Sequence, residues 1–365
     1  MKINNFIWLI GIIGAIACYM LIDYLLGDLD PDRFGMGKNT TSHIGYFNNI
    51  QISQPFGGTS TLVNSIIEQK NPKHKTSIVI GNSQLHAINY WKNGDKLFIE
   101  YTNEEILKEK GRDLVYCLSA PHLNVNEMLA YYRILRSQSI KPSILFLSCT
   151  FRSFHKISTR EIIKEQLNNI NIVNNYEGDF LNKFKNQQPN MKFEGQALQN
   201  KLESFLMNKL EKIWGSYKNR KNIKAIISSS IHQYLYRIIK KEKTNMLPTN
   251  KYNVEQNFLA LNTIINLAKD DKTVVVCYVP PYPQKDGNFY YDIEDYKNFT
   301  KDLNILCKNN ENSFFFNLES LIPIEYWGET YSGDIDPFHF KNEGHKILGY
   351  ELANIIKTIN DNYDF

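Results

Sequence analysis

Short apolar runs alternate with amphipathic stretches along most of this chain. Four runs are apolar at nearly every position: Ser77-Ile78-Val79-Ile80, Leu114-Val115-Tyr116-Cys117-Leu118, Ser143-Ile144-Leu145-Phe146-Leu147 and Thr273 to Val279. A fifth follows at Phe314-Phe315-Phe316. Continuous rather than alternating hydrophobicity marks strands covered on both faces, the usual condition of parallel strands. Between them lie helical periods, Glu127-Met128-Leu129 through Leu135, then Phe258, Leu261, Ile265 and Leu267, with Leu348, Leu352 and Ile356 after the last run. Alternation of strand and helix predicts βαβ units and a mostly parallel sheet with helices on both sides.

Two segments break this pattern. From Phe6 to Ile22 there is no charge, and after Asp23 the apolar sequence resumes at Tyr24-Leu25-Leu26. That length fits a tilted or slightly short transmembrane helix, with the rest of the chain outside the cytoplasm. Ala15-Ile16-Ala17 resembles a cleavage signal and Cys18 follows it as an incomplete lipobox, but apolar sequence continuing past Cys18 favours an uncut anchor. In the middle, residues 160–243 lack a strand pattern. There Leu202, Phe205, Leu206, Leu210, Ile213 and Trp214 share one helical face, and Ile227, Ile231, Tyr234, Leu235 and Ile238 share another. The expected organisation is an anchor over 1–26, a linker and lead-in over 27–74, an α/β domain in two parts over 75–159 and 244–365, and a helical insertion over 160–243.

Charge sharpens the insertion more than the whole. The 365 residues hold 42 Lys+Arg and 38 Asp+Glu, a net +4 too slight to imply nucleic-acid binding. The insertion alone carries 16 basic and 8 acidic residues, hence +8, and the remainder carries −4. Such a basic stretch is either a solvated face or an attraction for anionic headgroups or an anionic polymer. The five cysteines show neither CxxC nor metal-ligand spacing, so buried free thiols are expected and no metal or cofactor is implied.

The chemistry sits at strand ends. The first apolar run closes in Gly81-Asn82-Ser83-Gln84-Leu85-His86, a Gly-x-Ser turn expected to lead into a helix, and a serine there is exposed at the rim where open α/β sheets bind ligands. Near the other end, Asp336-Pro337-Phe338-His339 precedes the last helix. An Asp three residues before a His on a tight pre-helical loop can hold one ring nitrogen and leave the other to take a serine proton. Asp334 is the weaker alternative for that role. His86 reads as a packed or solvated helix residue and His345 as a residue capping or solvating the last helix. His122 is either a substrate contact or a loop residue, while His155 and His232 belong to no ligand-spaced set.

Together, in this order and context, these blocks resemble the SGNH (GDSL) hydrolase superfamily, over about residues 75–155 and 255–358. The resemblance implies a three-layer α/β/α sandwich with a flavodoxin-like five-stranded sheet, to which the anchor and insertion are additions. It implies Ser83 as nucleophile, His339 as base and Asp336 as its orienting partner. Two middle blocks depart from the family. His122, in Leu118-Ser119-Ala120-Pro121-His122, stands where the family has an oxyanion-hole glycine. Cys149-Thr150-Phe151-Arg152 replaces Gly-x-Asn-Asp and its asparagine. Asn82, Gln84, Ala120, His122 and Arg152 are therefore the candidate oxyanion or substrate contacts.

The N-terminal anchor, the divergent third block, Val279-Pro280-Pro281 and the D-x-x-H block are similar to anchored SGNH proteins of cell-envelope acylation. These include D-alanyl-lipoteichoic-acid transfer proteins and accessory proteins of membrane-bound O-acyltransferases. That narrower resemblance implies acyl transfer to, or removal from, an extracytoplasmic glycopolymer, with the membrane and a membrane-bound O-acyltransferase as partners. A carbohydrate O-acetyl esterase and a non-catalytic binding partner of such an acyltransferase stand as alternatives.

Overall fold

The six strands of the main sheet are β1 (Ser53–Gln54), β2 (Thr76–Gly81), β3 (Leu114–Ser119), β4 (Ile144–Ser148), β5 (Val274–Val279) and β6 (Ser313–Asn317). They belong to a computed structural model that describes residues 40–55, 59–69, 75–108, 113–157, 159–160, 163–164, 167, 250–283, 292–329 and 335–362. All of these fall in one unit, Lys38–Asp179 with Lys243–Phe365. The expected anchor over 1–26 and nearly all of the expected insertion over 160–243 lie outside the described residues. Among the described residues no helix is long and apolar enough to cross a membrane.

The strands lie in the order β6-β5-β4-β2-β3-β1, and every neighbouring pair is parallel. At the centre Ile78 of β2 lies between Tyr116 of β3 and Leu145 of β4. The five long strands thus follow the flavodoxin-like order. The chain steps to one side from β2 to β3 and returns across β2 to β4, which opens a crevice at the carboxyl ends of β2 and β4.

Helix α1 (Ser60–Glu68) leads into the sheet; α2 (Phe98–Leu107), α3 (Val125–Ser137), the single turn α4 (Phe151–Phe154), α5 (Lys251–Asp270), α6 (Ile293–Lys308) and α7 (Asn342–Asn362) follow. Right-handed crossovers put α3, α5 and α6 on one face and α2 and α7 on the other. The contacts agree, since α2 packs on α7 and α3 on α5. The start of α3 is fixed by a reciprocal cap: Asn124 Oδ1 accepts the Glu127 N–H at 3.0 Å and the Asn124 N–H reaches Glu127 Oε2 at 3.3 Å.

Outside the main sheet, β7 (Trp327–Glu329) and β8 (Ile335–Phe340) form an antiparallel pair, with Trp327 opposite Phe340 and Glu329 opposite Ile335. Thr41–Ser42 pairs antiparallel with Ala87–Ile88.

Three differences from the sequence reading follow. The sheet has six strands rather than five, because Ser53 and Gln54, in the expected linker and lead-in, pair with Cys117 and Leu118. The stretch after Ser83 is not a helix but a three-residue 3₁₀ turn, Ser83–Leu85, followed by the short strand Ala87–Ile88. Backbone groups that a second helical turn would use are taken by distant partners: His86 C=O accepts the His43 N–H at 2.8 Å, and the Asn89 N–H donates to Phe340 C=O at 3.0 Å. Finally, Asp336 and His339 lie on strand β8 rather than on a pre-helical loop.

Candidate active site

The serine is presented by a tight exit from β2. Asn82 is extended and its Oδ1 accepts the Gln84 N–H at 3.0 Å, while the Leu85 and His86 N–H groups donate to the Asn82 and Ser83 carbonyls, both at 3.1 Å. Gly81 is required by crowding here. A Cβ at that position would lie 2.6 Å from both Leu85 Cδ1 and Ser148 Cβ.

Strand β8 delivers the other two groups. Ser83 Oγ lies 3.0 Å from His339 Nε2, and His339 Nδ1 lies 2.9 Å from Asp336 Oδ2. The second carboxylate oxygen, Oδ1, accepts the N–H groups of Phe338 at 2.9 Å and His339 at 3.3 Å, so the backbone of the same strand orients the carboxylate. All three side chains are buried, with only 9% of Ser83 and 5% of His339 exposed at the crevice.

A residue without a motif completes the support. Asn89 Nδ2 donates to Asp336 Oδ2 at 3.3 Å, to Thr40 Oγ1 at 2.7 Å and to the Glu329 carbonyl at 3.1 Å, and Asn89 Oδ1 accepts the Glu329 N–H at 3.2 Å. It is fully buried and ties the first part of the domain to the β7–β8 pair. Gly328 makes room for it, since a Cβ there would sit 2.0 Å from Asn89 Cγ.

Two further histidines are held neutral beside this centre. His345 is fully buried rather than capping or solvating a helix end: its Nε2 lies 3.1 Å from the Ala87 carbonyl and its Nδ1 accepts the Phe98 N–H at 3.3 Å. A carbonyl only accepts and an amide only donates, so the ring carries its proton on Nε2 and has no room for a second. Burial lowers its pKa to about 3. His86, packed and not solvated, meets Ser119 Oγ at 2.9 Å through Nδ1, and burial, with His339 and His345 nearby, lowers its pKa to about 3.

The remaining predicted contacts divide. Ala120 is not an oxyanion donor, because its N–H already donates to the Gly81 carbonyl at 3.1 Å. Gln84 is engaged from the far side of the rim, its Nε2 donating to the Pro281 carbonyl at 2.9 Å. His122 adopts a left-handed conformation, φ +54°, the backbone geometry for which glycine is the usual residue. Among the described residues neither the Ser83 N–H nor the His122 N–H has an acceptor, and the Asn82 amide nitrogen has none either. Phe151, where the sequence resemblance leads one to expect an asparagine, is packed among Tyr296, Phe299 and His155 and offers no side-chain donor.

Arg152 projects from α4 over the Phe338 ring, its guanidinium carbon 5.6 Å from the centroid. The His122 ring meets the same phenyl edge-on at 6.5 Å. The His122 edge reaches solvent, yet desolvation of its packed side together with Arg152, Lys156 and Arg160 pushes its pKa down to about 4. Asp334 and His232 lie outside the described residues, and His155 accepts the Asn250 N–H at 3.2 Å, away from Ser83 and His339. No group of His, Cys, Asp and Glu suited to a metal ion occurs among the described residues.

No protein-family model and no curated protein matches this chain. Among solved structures it is similar to a GDSL-like lipase from Bacteroides thetaiotaomicron, with a TM-score of 0.38 and 10% identity over 82% of this chain and 96% of that one. It is also similar to a psychrotrophic esterase from a Pseudoalteromonas species, with a TM-score of 0.39 and 7% identity over 79% and 99%. An acetylxylan esterase from Geobacillus stearothermophilus gives a TM-score of 0.38 and 10% identity over 77% and 94%.

Proposed function

We propose that this protein is a serine acyl-transfer enzyme of the SGNH type, anchored through Phe6 to Leu26, that acylates hydroxyl groups of an extracytoplasmic glycopolymer. The observation that carries this reading is the continuous relay from Ser83 Oγ to His339 Nε2 at 3.0 Å and from His339 Nδ1 to Asp336 Oδ2 at 2.9 Å.

In the first half-reaction Ser83 Oγ forms a bond to the acyl carbonyl carbon while its proton passes to His339 Nε2. The bond to the leaving oxygen breaks, and that oxygen takes the proton from His339. Asp336 accepts from Nδ1, keeps the imidazole in the tautomer with a bare Nε2, and stabilises the imidazolium formed in between. The oxyanion is met by the free N–H groups of Ser83 and His122. The left-handed turn at His122 supplies the backbone donor that a glycine gives elsewhere in the family, and each such donor is worth about 10²–10³ in rate. In the second half an acceptor hydroxyl gives its proton to His339 and attacks the acyl-enzyme, restoring Ser83.

Reaction with a fluorophosphonate tests the nucleophile. An adduct on the wild type that is missing from folded Ser83→Ala is expected, and labelling that persists in the variant would overturn the assignment. Product analysis then separates the acceptors. Acylated glycan in excess over free acid supports transfer, whereas free acid alone at saturating glycan makes the protein an esterase, with water in the acceptor's place. A folded wild type that forms no adduct is a binding partner of an acyltransferase instead.

A further inference from the structure

We propose that Arg152 and Lys156 form a recognition platform beside the Ser83 crevice for an anionic group, phosphate or carboxylate, carried by the sugar chain that this site acylates; the identity of that chain as substrate rests on the acyl-transfer reading of Ser83. Three observations converge on it.

The first is position. Phe338 precedes the base His339, is 36% exposed, and carries the Arg152 guanidinium over its face and the His122 ring at its edge. His122 feels the charges of Arg152, Lys156, Arg160 and His339 alike, so the cations and the imidazole lie within electrostatic range of one ring. A guanidinium resting on an aromatic face keeps its N–H donors free for an anion.

The second is the absence of internal partners. Arg160 is already used, ion-paired to Glu127 Oε2 at 2.7 Å and bonded to the Pro121 carbonyl. Among the described residues neither Arg152 nor Lys156 has a carboxylate within ion-pair distance, and Glu127, paired to Arg160, acts on Lys156 only at longer range. Burial and the two neighbouring arginines lower the Lys156 pKa, a strain that an arriving anion relieves.

The third is that the platform is built. Asn257, fully buried, donates through Nδ2 to the carbonyls of Phe154 at 2.9 Å and Lys156 at 2.8 Å, and its Oδ1 accepts from Asn126 at 3.0 Å. Asn253 Nδ2 holds the His155 carbonyl at 2.7 Å. Side chains of α5, with Asn257 braced by Asn126 of α3, thus clamp the backbone that carries both cations. The conformational entropy of presenting them is spent during folding and not on binding.

The test is equilibrium binding to the full-length chain in detergent, with Ser83→Ala as the parent so that no turnover occurs. The probes are fluorescent oligosaccharides of one length in neutral, carboxylated and phosphorylated forms. The parent is expected to bind at least one anionic probe about tenfold or more tightly than the neutral one at low salt, with the preference shrinking as salt rises. Adding Arg152→Gln and Lys156→Gln should abolish the preference, so that charged and neutral probes bind alike, and Arg152→Lys with Lys156 intact should keep most of it. The double substitution separates these two residues from basic groups elsewhere in the chain. Equal affinity for charged and neutral probes in the parent, or a preference that survives the double substitution, overturns the proposal. The carboxylated and phosphorylated arms identify which anion is read. Fluorophosphonate labelling without charge preference sinks this inference alone, and charge preference without labelling sinks the acyl-transfer reading alone.

Discussion

Asn89 Nδ2 donates to the same carboxylate oxygen of Asp336, Oδ2, that holds the His339 ring, at 3.3 Å. The orienting carboxylate is therefore fixed from both halves of the domain, by its own strand through Oδ1 and by Asn89 through Oδ2. Asn89 is a positioning residue in this scheme. It touches neither Ser83 nor the space where an acyl group would sit.

Asn89→Ala should lower kcat for a neutral aryl acetate about tenfold with little change in KM, since it loosens Asp336 without removing a reacting group. It should also destabilise the fold by about 1–3 kcal/mol, because Thr40 and Glu329 lose buried partners. Thr40→Val is the control. It removes a different Asn89 bond, should destabilise the protein, and should leave kcat within about twofold. Equal kcat losses in the two variants, measured beside urea melts, would reduce Asn89 to a packing role.

Gly328→Ala should act on the same network by crowding. With its Cβ 2.0 Å from Asn89 Cγ, the β7 backbone or the asparagine must shift, at a cost of about 3 kcal/mol. Fluorophosphonate labelling should slow alongside the drop in melting temperature. An unchanged melting temperature would mean that the hairpin yields freely.

The neutral histidines predict acid sensitivity with a definite sign. His345 has a folded pKa of about 3 against an ordinary 6.5, so the unfolded chain binds the proton more readily. Its contribution to stability is complete above pH 6.5 and is lost as pH falls from there towards 3, by about 1.4 kcal/mol per pH unit. His86 should behave alike. His345→Gln, whose amide can accept from Phe98 and donate to Ala87, should flatten the slope of unfolding free energy between pH 6 and 4 relative to the wild type. Parallel slopes for the two proteins would contradict the buried-neutral assignment.

The described thiols should be inert in the native state. Cys117, Cys149, Cys277 and Cys307 are buried and unpaired by disulfides. Burial pushes Cys117 up to about 12, Cys277 is raised first by its contact with Cys149, and Cys307 first by its contact with Cys277. Because the thiolate is the reactive form, a disulfide reagent should modify these four only after denaturation. Rapid modification of any of them in folded protein, located by peptide mapping, would contradict that packing.

Most of the sheet was legible because β2 to β5 are buried on both faces and therefore read as unbroken apolar runs. β1 was not legible. Ser53 and Gln54 join the sheet through backbone bonds alone, and nothing in two polar side chains records that. The pairing of Ser83 with Asp336 and His339 was visible because each lies in a spaced block, whereas Asn89 is a lone asparagine whose role exists only once β7 arrives beside it. The helix expected after Ser83 failed for the same reason, as His43 and Phe340 claim the backbone groups it would have used. His122 reads from sequence as a displaced glycine and as either a substrate contact or a loop residue. Its left-handed turn is a property of φ that residue identity does not reveal.

Ser83 and His339 stand 256 positions apart in the chain yet share one hydrogen bond. At translation rates of about 5–20 residues per second, the serine emerges roughly 13–50 s before the imidazole that it bonds. Throughout that interval the β2 turn has no His339 beside it, because β8 has not yet been made. Under the proposed acyl-transfer mechanism, the division of the site between distant segments works as an assembly checkpoint, since a chain that stops before β8 has no base for Ser83.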